Sequence, residues 1–304
     1  VLESVTLDQM RVFVAIAEEG SFRKGAARVR RAQSAVSHAV ANLELQLGVR
    51  LFDRSTHRPV LTTAGRALLE DARGVLLKVD VLRARARGFE QGLETELSMV
   101  VDTLFPLPVV AAAFKTLREA YPTVRLRLSV EPLGGPPAAL RDRRCTLAVM
   151  AGEDFIDPRI ERERLLSFAL VAVAAASHPL ARSAARGASV TASELAEQVQ
   201  VVLEDPTDLS EGRDFGVLSP QTLRVGTQDA KRALILAGVG WGRLPRWSIE
   251  AELDAGALVP LPTANWGPGG EKVTDAYLAW RLDQSLGIAA LHLRDLLRSA
   301  SAPR

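Results

Sequence analysis

The segment from residue 20 to 65, GSFRKGAARVRRAQSAVSHAVANLELQLGVRLFDRSTHRPVLTTAG, admits few folds. It reads as two short helices around a tight turn, then a basic hairpin, then the start of a long helix. Gly20 and Ser21 break an amphipathic run marked by Met10, Phe13, Val14 and Ala17, and the Ser21 hydroxyl is placed to accept from a free N–H of the next helix. That helix is predicted from about Arg23 to Val29, where Gly25, Ala26 and Ala27 leave room for another helix to cross closely. After a turn at 30–32, Val36, Val40, Leu43 and Leu47 recur at helical spacing over Gln33–Leu47 and are expected to face inward, with Gly48 as the C-terminal stop.

The other face of this second helix is polar. Gln33, Ser34, Ser37, His38 and Asn42 supply donors and acceptors of the types that read base edges in a major groove. A strand at 49–52, a turn at 53–59 and a strand at 60–62 are predicted to form a wing. Arg50, Arg54, His57 and Arg58 concentrate positive charge there, suited to phosphates or a narrow minor groove. A basic residue taken singly is usually just a solvated face, so the argument rests on the combination.

Ser21-Phe22, Ala26-Ala27, Gln33, Ala35-Val36-Ser37, Leu43-Glu44, Leu47-Gly48, Leu51-Phe52, Arg54, Leu61-Thr62 and Ala64-Gly65 together form a dense, gap-free pattern. The stretch closely resembles the winged helix-turn-helix of LysR-type transcriptional regulators. The resemblance implies that Gln33 opens the recognition helix, that Gln33, Ser34, Ser37 and His38 approach bases, and that Arg54 and Arg58 approach the backbone or minor groove. Ser21, Asn42 and His57 complete the candidate DNA contacts. Three positions depart from the family pattern: Ala32 where a capping hydroxyl is common, Ser34 where proline is frequent, and Gly25 where alanine is usual. A missing cap costs about 1 kcal/mol, which bears on the seating of the recognition helix.

Charge is distributed in keeping with this reading. The 304-residue chain has a formal net charge of +2, but residues 1–92 carry 15 Lys and Arg against 10 Asp and Glu, while the remainder carries 23 against 26. The longest apolar run, Phe168 to Ala176, is too short to span a bilayer, and Glu3 and Asp8 interrupt any secretion signal, so a cytoplasmic protein is expected. The single cysteine, Cys145, excludes an intrachain disulfide and reads as a structural thiol. His38, His57, His178 and His292 are too scattered for a metal site, and no cofactor is expected.

From Thr63 to about Phe89 a continuous helix is predicted. Leu68, Ala72, Val75, Val79, Leu82, Ala86 and Phe89 alternate steps of four and three, the seam of a two-stranded coiled coil, although a long helix packed on its own domain would also show a stripe. The family resemblance implies dimerisation here, a homodimer and then a homotetramer, with two recognition helices on a pseudo-palindromic double-stranded DNA site.

Beyond a hinge at 91–96, strands and helices alternate, which predicts a mainly parallel sheet covered on both faces. Strands are expected at 97–101, 124–130, 147–150, 168–176, 199–203 and 222–225, and helices at 108–120, 136–144, 192–198 and 229–236. Tyr121-Pro122, His178-Pro179-Leu180, Ala237-Gly238-Val239-Gly240, Leu244-Pro245 and Gly256-Ala257-Leu258 resemble, less specifically, the LysR-type effector domain, and Thr146 replaces its usual aspartate. The implied fold is α/β overall. A winged helix-turn-helix of the all-α type occupies 1–62 and a linker and dimerisation helix 63–92. A two-lobed, periplasmic-binding-protein-like α/β effector domain occupies 93–304, with lobe one at 95–165 and 270–304 and lobe two at 166–269.

A small-molecule effector is expected in the cleft, where strand ends and helix starts face each other. Asp102, Thr103 and Leu104 mark lobe one's side, and Thr227, Gln228 and Asp229 mark lobe two's; simple helix capping explains Thr103 and Asp229 as readily. Asp102 opposes a carboxylate ligand unless Arg243 or another cation compensates, which leaves neutral, phenolic or cationic effectors. An enzyme finds little support: Gly238-Val239-Gly240-Trp241-Gly242 follows a predicted helix instead of opening one, and no nucleophile elbow or paired-carboxylate motif stands out. A purely architectural DNA-binding protein would use the N-terminus but leave the two lobes without purpose. The expectation is a ligand-responsive DNA-binding regulator, not an enzyme, in which effector binding shifts the lobes and changes the angle between DNA-binding dimers.

Overall fold

The structure, a computed structural model, describes residues 5–53, 59–88, 92–152, 154–184, 189–263 and 271–301, with the side chains of 84–88 outside the description. The chain divides into two compact units, the first ending at Arg87 and the second beginning at Gly88.

The first unit contains α1 (Leu7–Glu19), α2 (Phe22–Arg28), α3 (Gln33–Leu47), β1 (Phe52–Asp53), β2 (Val60–Leu61) and α4 (Thr63–Gly88). Thr6 and Gln9 form a capping box at the start of α1, and Gly20 ends it in the left-handed region at φ 59°. Ser21 then caps α2 as expected, its hydroxyl accepting from the Lys24 N–H at 3.4 Å. A Cβ on Gly25 would lie 2.8 Å from Ile16 Cγ1 and 2.9 Å from its Cα, so α2 approaches α1 at a distance that only glycine permits.

Val12, Phe13, Ile16, Ala26, Val36, Val40, Leu43, Leu51 and Phe52 form the core of this unit, with Phe13 set edge-on to Phe52 at 5.6 Å. The amphipathic run of α1 packs as expected, with Phe13 in the core beside Val12 and Ile16 and Met10, Val14 and Ala17 half-buried against it, but Leu47, expected to face inward, is 37% exposed. The inward stripe of α3 stops at Leu43 because Glu44 follows it, its carboxylate accepting from the N–H groups of Leu51 and Phe52 at 2.8 and 3.2 Å. Those bonds also occupy backbone that the predicted strand at 49–52 would have used, so β1 begins only at Phe52.

The second unit comprises β3 (Glu96–Asp102), α5 (Leu107–Ala120), β4 (Arg125–Glu131), α6 (Gly135–Arg141), β5 (Leu147–Ala151), β6 (Ile160–Ala175), α7 (Pro179–Ala184), α8 (Ala192–Ala196), β7 (Gln200–Leu203), β8 (Thr222–Val225), α9 (Gln228–Leu236), β9 (Trp241–Pro245), α10 (Glu250–Asp254), β10 (Leu258–Pro260), β11 (Glu271–Arg281) and α11 (Ile288–Ser301). Among the described residues the sheet runs β4-β3-β5-β11-β6-β9-β7-β8, with β10 beside β6. The expected parallel pairing holds within each lobe, for β4-β3-β5 and for β9-β7-β8. It fails in the middle. β6 and β11 pair antiparallel with each other from Ile160–Arg281 to Val171–Glu271, and each pairs antiparallel with its other neighbours. The strand expected at 168–176 is therefore the second half of a 16-residue strand. These two long strands carry the chain between lobes without a crossover helix, and antiparallel pairing follows from that return.

Each lobe has a core on both faces of its sheet. In lobe one, α5 and α11 cover Leu97, Met99, Val101, Val149 and Leu278, while Ala139 and Leu140 of α6 meet Val100, Ala148 and Ala279 on the opposite face. In lobe two, β6 sends Ala172 and Ala174 towards Leu180, Leu195 and Trp241, and Val171 and Val173 towards Ile235, Leu244 and Ile249. That alternation is the period-two signature of a strand buried on both sides. The segment expected as a hinge is tied down at Glu94, whose carboxylate accepts from the N–H groups of Ala289 and Ala290 at 2.8 and 3.0 Å and so caps α11.

Candidate functional site

The inward face of α3 is fixed by Val36 and Val40, both 0% exposed, which turns Gln33, Ser34 and His38 out to solvent. Ser37 and Asn42 are half-buried at the edges of that face. The Asn42 amide nitrogen lies 3.2 Å from His38 Nδ1, one turn away on the same helix. At the helix start Ala32 has extended backbone but makes no side-chain cap, as its methyl group dictates. Ser21 sits at the start of α2 with its hydroxyl committed to that cap. Arg54, His57 and Arg58 of the expected wing lie outside the described residues.

Along α4 the predicted seam changes character. Ala72 is buried in the core of the first unit and Leu68 packs against it. Beyond them Val75 is 39% and Leu82 68% exposed, with Val79 half-buried between. Phe89 and the side chain of Ala86 lie outside the described residues.

Between the lobes of the second unit lies a cavity of about 1210 Å³. Leu104, Leu133 and Phe155 line it from lobe one, Leu170, Lys272 and Thr274 from the two long strands, and Gln200, Val202, Arg224, Lys231 and Arg243 from lobe two. The loop at 203–217 closes one side. Gln200 pins that loop: its amide nitrogen donates to Gly216 O at 3.0 Å and its carbonyl oxygen accepts from Leu218 N and Ser219 N at 2.8 and 3.1 Å. Contacts also cross between lobes. Asp205 accepts from Gly134 N at 3.1 Å, Arg213 lies over the rings of Phe155 and Phe215, and the Trp247 indole N–H donates to Leu104 O at 3.1 Å.

The basic wall of the cavity is set in lobe two. Arg243 is half-buried, donates to Phe215 O at 2.9 Å, and is held below the usual arginine range by burial. Lys231, in α9, is 8% exposed and packs over Gly242; a Cβ on that glycine would lie 3.1 Å from Lys231 Cε. Among the described residues no hydrogen-bond or ion-pair partner meets the Lys231 ammonium, and burial together with Arg243 pushes its pKa down to about 7.

The sequence-predicted effector residues divide. Leu104 and Arg243 line the cavity, whereas Asp102, Thr103, Thr227, Gln228 and Asp229 do not. Asp102 is 2% exposed, its carboxylate accepts from Leu104 N at 2.8 Å, and burial raises its pKa to about 7. The like-charge objection to a carboxylate ligand therefore lapses, because this group is withdrawn into lobe one. Thr227 caps α9 through Ala230 N, so the capping role expected as the alternative for Asp229 belongs to Thr227. Thr103 Oγ1 and both polar atoms of the Gln228 amide are buried without a hydrogen-bond partner. Lys231 escaped the sequence reading because a lysine in a helix ordinarily marks a solvated face.

The Cys145 thiol is buried and pushed up to about 12 by burial. Among the described residues no group of three or more His, Cys, Asp or Glu could hold a metal ion, and no helix is long and apolar enough to cross a membrane.

Two family models match the chain: the helix-turn-helix of bacterial regulatory proteins of the lysR family over residues 7–66, and the LysR substrate binding domain over 90–302. A relative from Escherichia coli K12, the probable HTH-type transcriptional regulator YhaJ, is 31% identical over 293 residues, 94% of this chain and 93% of that protein. The HTH-type transcriptional regulator AceR of Acinetobacter baumannii is 27% identical over 303 residues, 97% of each chain. Among solved structures, full-length LysG from Corynebacterium glutamicum with bound effector Arg shares the fold at a TM-score of 0.52 and 22% identity, with 98% of each chain covered.

Proposed function

Because the chain belongs to the LysR family of bacterial transcriptional regulators, which join a DNA-binding helix-turn-helix to an effector-binding domain, we propose that α3 makes its base contacts and that the cavity between the lobes receives its effector. The observation that carries the first assignment is the division of α3 into a buried apolar face and an exposed face bearing Gln33, Ser34 and His38. A helix packed in this way presents its polar side chains to a major groove. Ser37 and Asn42 flank that face, and Arg54, His57 and Arg58 supply phosphate or minor-groove contacts beside it. The functional divisions follow as a DNA-binding part at 1–62, a linker helix at 63–92 and an effector-binding part at 93–304.

Dimerisation runs through α4. Leu68 and Ala72 already serve the core of their own unit, so Val75, Val79 and Leu82, which leave apolar surface in the open, begin the contact with a second copy, and Ala86 and Phe89 extend it. Two copies present two recognition helices to a pseudo-palindromic site in the cytoplasm, and pairs of dimers form the tetramer. The effector shifts the balance between lobe arrangements through contacts such as Asp205 with Gly134 and Arg213 with Phe155, and the bend of the DNA follows. Thr103 and Gln228, whose buried polar groups want partners, are further candidates for a ligand contact, although they lie outside the cavity lining. No catalytic role is assigned to any residue. A gel shift with the DNA flanking the gene tests the account: salt-sensitive binding to one site supports it, and equal affinity for unrelated DNA leaves only an architectural role.

A further inference from the structure

Lys231 is a buried charge that the fold does not account for. It is 8% exposed, lines the cavity, and meets no hydrogen-bond or ion-pair partner among the described residues. A buried ammonium without a counter-charge costs stability, and a methionine there would fill the same space at lower cost. The surroundings are nonetheless shaped to keep the cation in place. Gly242 leaves the room that the lysine stem occupies, and a side chain at Gly216, whose φ is +68°, would overlap the Arg243 guanidinium. Gln200 holds the Gly216 loop by three hydrogen bonds, so both cations line a rigid wall.

The rest of the cavity limits what can neutralise Lys231. Leu104, Leu133, Leu170 and Val202 provide apolar lining. Six carboxylates are on the lining and none is ion-paired with Lys231: Asp154, Glu204 and Glu211 are exposed, and Asp208 and Asp214, also exposed, are paired with Arg141 and Arg224. Asp205 is taken up by Gly134, Thr207 and Ser210.

Resting on the reading of this cavity as the effector site, we propose that the effector is an organic carboxylate with an apolar body, its carboxylate received by Lys231 and Arg243 and its body by the leucine-rich wall. A charge-assisted hydrogen bond in a partly dehydrated site is strong enough to select an acid over its uncharged amide.

The test uses the full-length protein and a panel of benzoate, hexanoate, benzamide, benzylamine and inorganic phosphate, read by calorimetric titration and thermal shift. Benzoate and hexanoate are expected to bind and raise Tm, the other three to leave it unchanged, and Lys231→Met to weaken benzoate at least tenfold while Lys231→Arg retains it. Lys231→Met alone is expected to melt no lower than the parent, since a structural lysine would behave in the opposite way. Binding of benzamide or benzylamine as tight as that of benzoate, benzoate binding indifferent to Lys231→Met, response to phosphate alone, or silence across the panel each overturns the proposal. Thr274→Trp, which plugs the cavity, separates the two levels. Loss of benzylamine binding in that variant keeps the cavity and discards the carboxylate; benzoate binding unchanged by the plug discards the cavity itself.

Discussion

The Asn42 amide lies 3.2 Å from Nδ1 of His38. The contact sets the imidazole and the amide side by side, one helical turn apart, on the polar face of α3. His38 is exposed on that face, where an imidazole N–H can meet a guanine N7 or a phosphate oxygen. His38→Ala is expected to weaken binding to the specific site several-fold without altering the melting of the protein. Gln33→Ala is expected to relax preference at one base pair by about 1–3 kcal/mol, whereas Arg58→Ala lowers affinity on all sequences and reduces the salt slope by about 1. Competition binding with base-substituted sites at several salt concentrations separates these effects.

Ala32 has extended backbone at the start of α3 and no side-chain cap. Ala32→Ser is expected to stabilise the first unit by about 1 kcal/mol, seen as a higher denaturant midpoint. An unchanged midpoint would mean that the free N–H groups of α3 already have other partners.

Gly65 lies in the first turn of α4 against the carbonyl of Leu51, where a Cβ would overlap the oxygen. The partner is backbone and cannot swing aside. Gly65→Ala is expected to cost about 1–3 kcal/mol by overpacking, measured as a fall in Tm of the first unit, while Gly74→Ala, with open space around it, is neutral or stabilising.

Lys231 carries a pH signature. Its pKa is pushed down to about 7, so from about 7 to 10.5 the unfolded chain holds a proton that the fold has increasingly lost. Stability contributed at this position therefore rises with pH through that window, and below about 7 the full cost of the buried charge is present. Arg243 on β9 is the charge that adds to this shift; the cavity lining also carries Arg213, Arg224 and Lys272 and the carboxylates of Asp154, Glu204, Asp205, Asp208, Glu211 and Asp214, none of them ion-paired with Lys231. The Tm advantage of Lys231→Met over the parent is expected to narrow between pH 7 and 10. Benzoate affinity, which needs the ammonium, is expected to fall by up to about tenfold per pH unit above 7.

Much of the first unit was legible because its signals are local. The capping serine at 21, the period of Val36, Val40 and Leu43 and the stop at Gly48 all act within a few residues of each other, and α3 begins and ends where they place it. The wing strands and Leu47 misled because Glu44 reaches forward to the N–H groups of Leu51 and Phe52, a tertiary use of a side chain that the pattern gives to solvent. The first half of β6 was assigned to no element, because Glu161, Arg162, Glu163 and Arg164 offer no apolar run; β11, over a hundred residues later, makes it a strand. Glu94 capping α11 is equally remote. The cavity was expected from the two-lobed fold, but its cation was not, since only the glycine at 242 and the packing of α9 turn Lys231 inward.

The most direct measurement is a DNase I footprint of the full-length protein on the DNA flanking its own gene, with and without a ligand shown to bind the cavity. Two protected half-sites centred about one helical turn apart, with protection that lengthens or shortens when the ligand is added, are the predicted result. Unselective coverage of the DNA, or a footprint indifferent to a bound ligand, would contradict it.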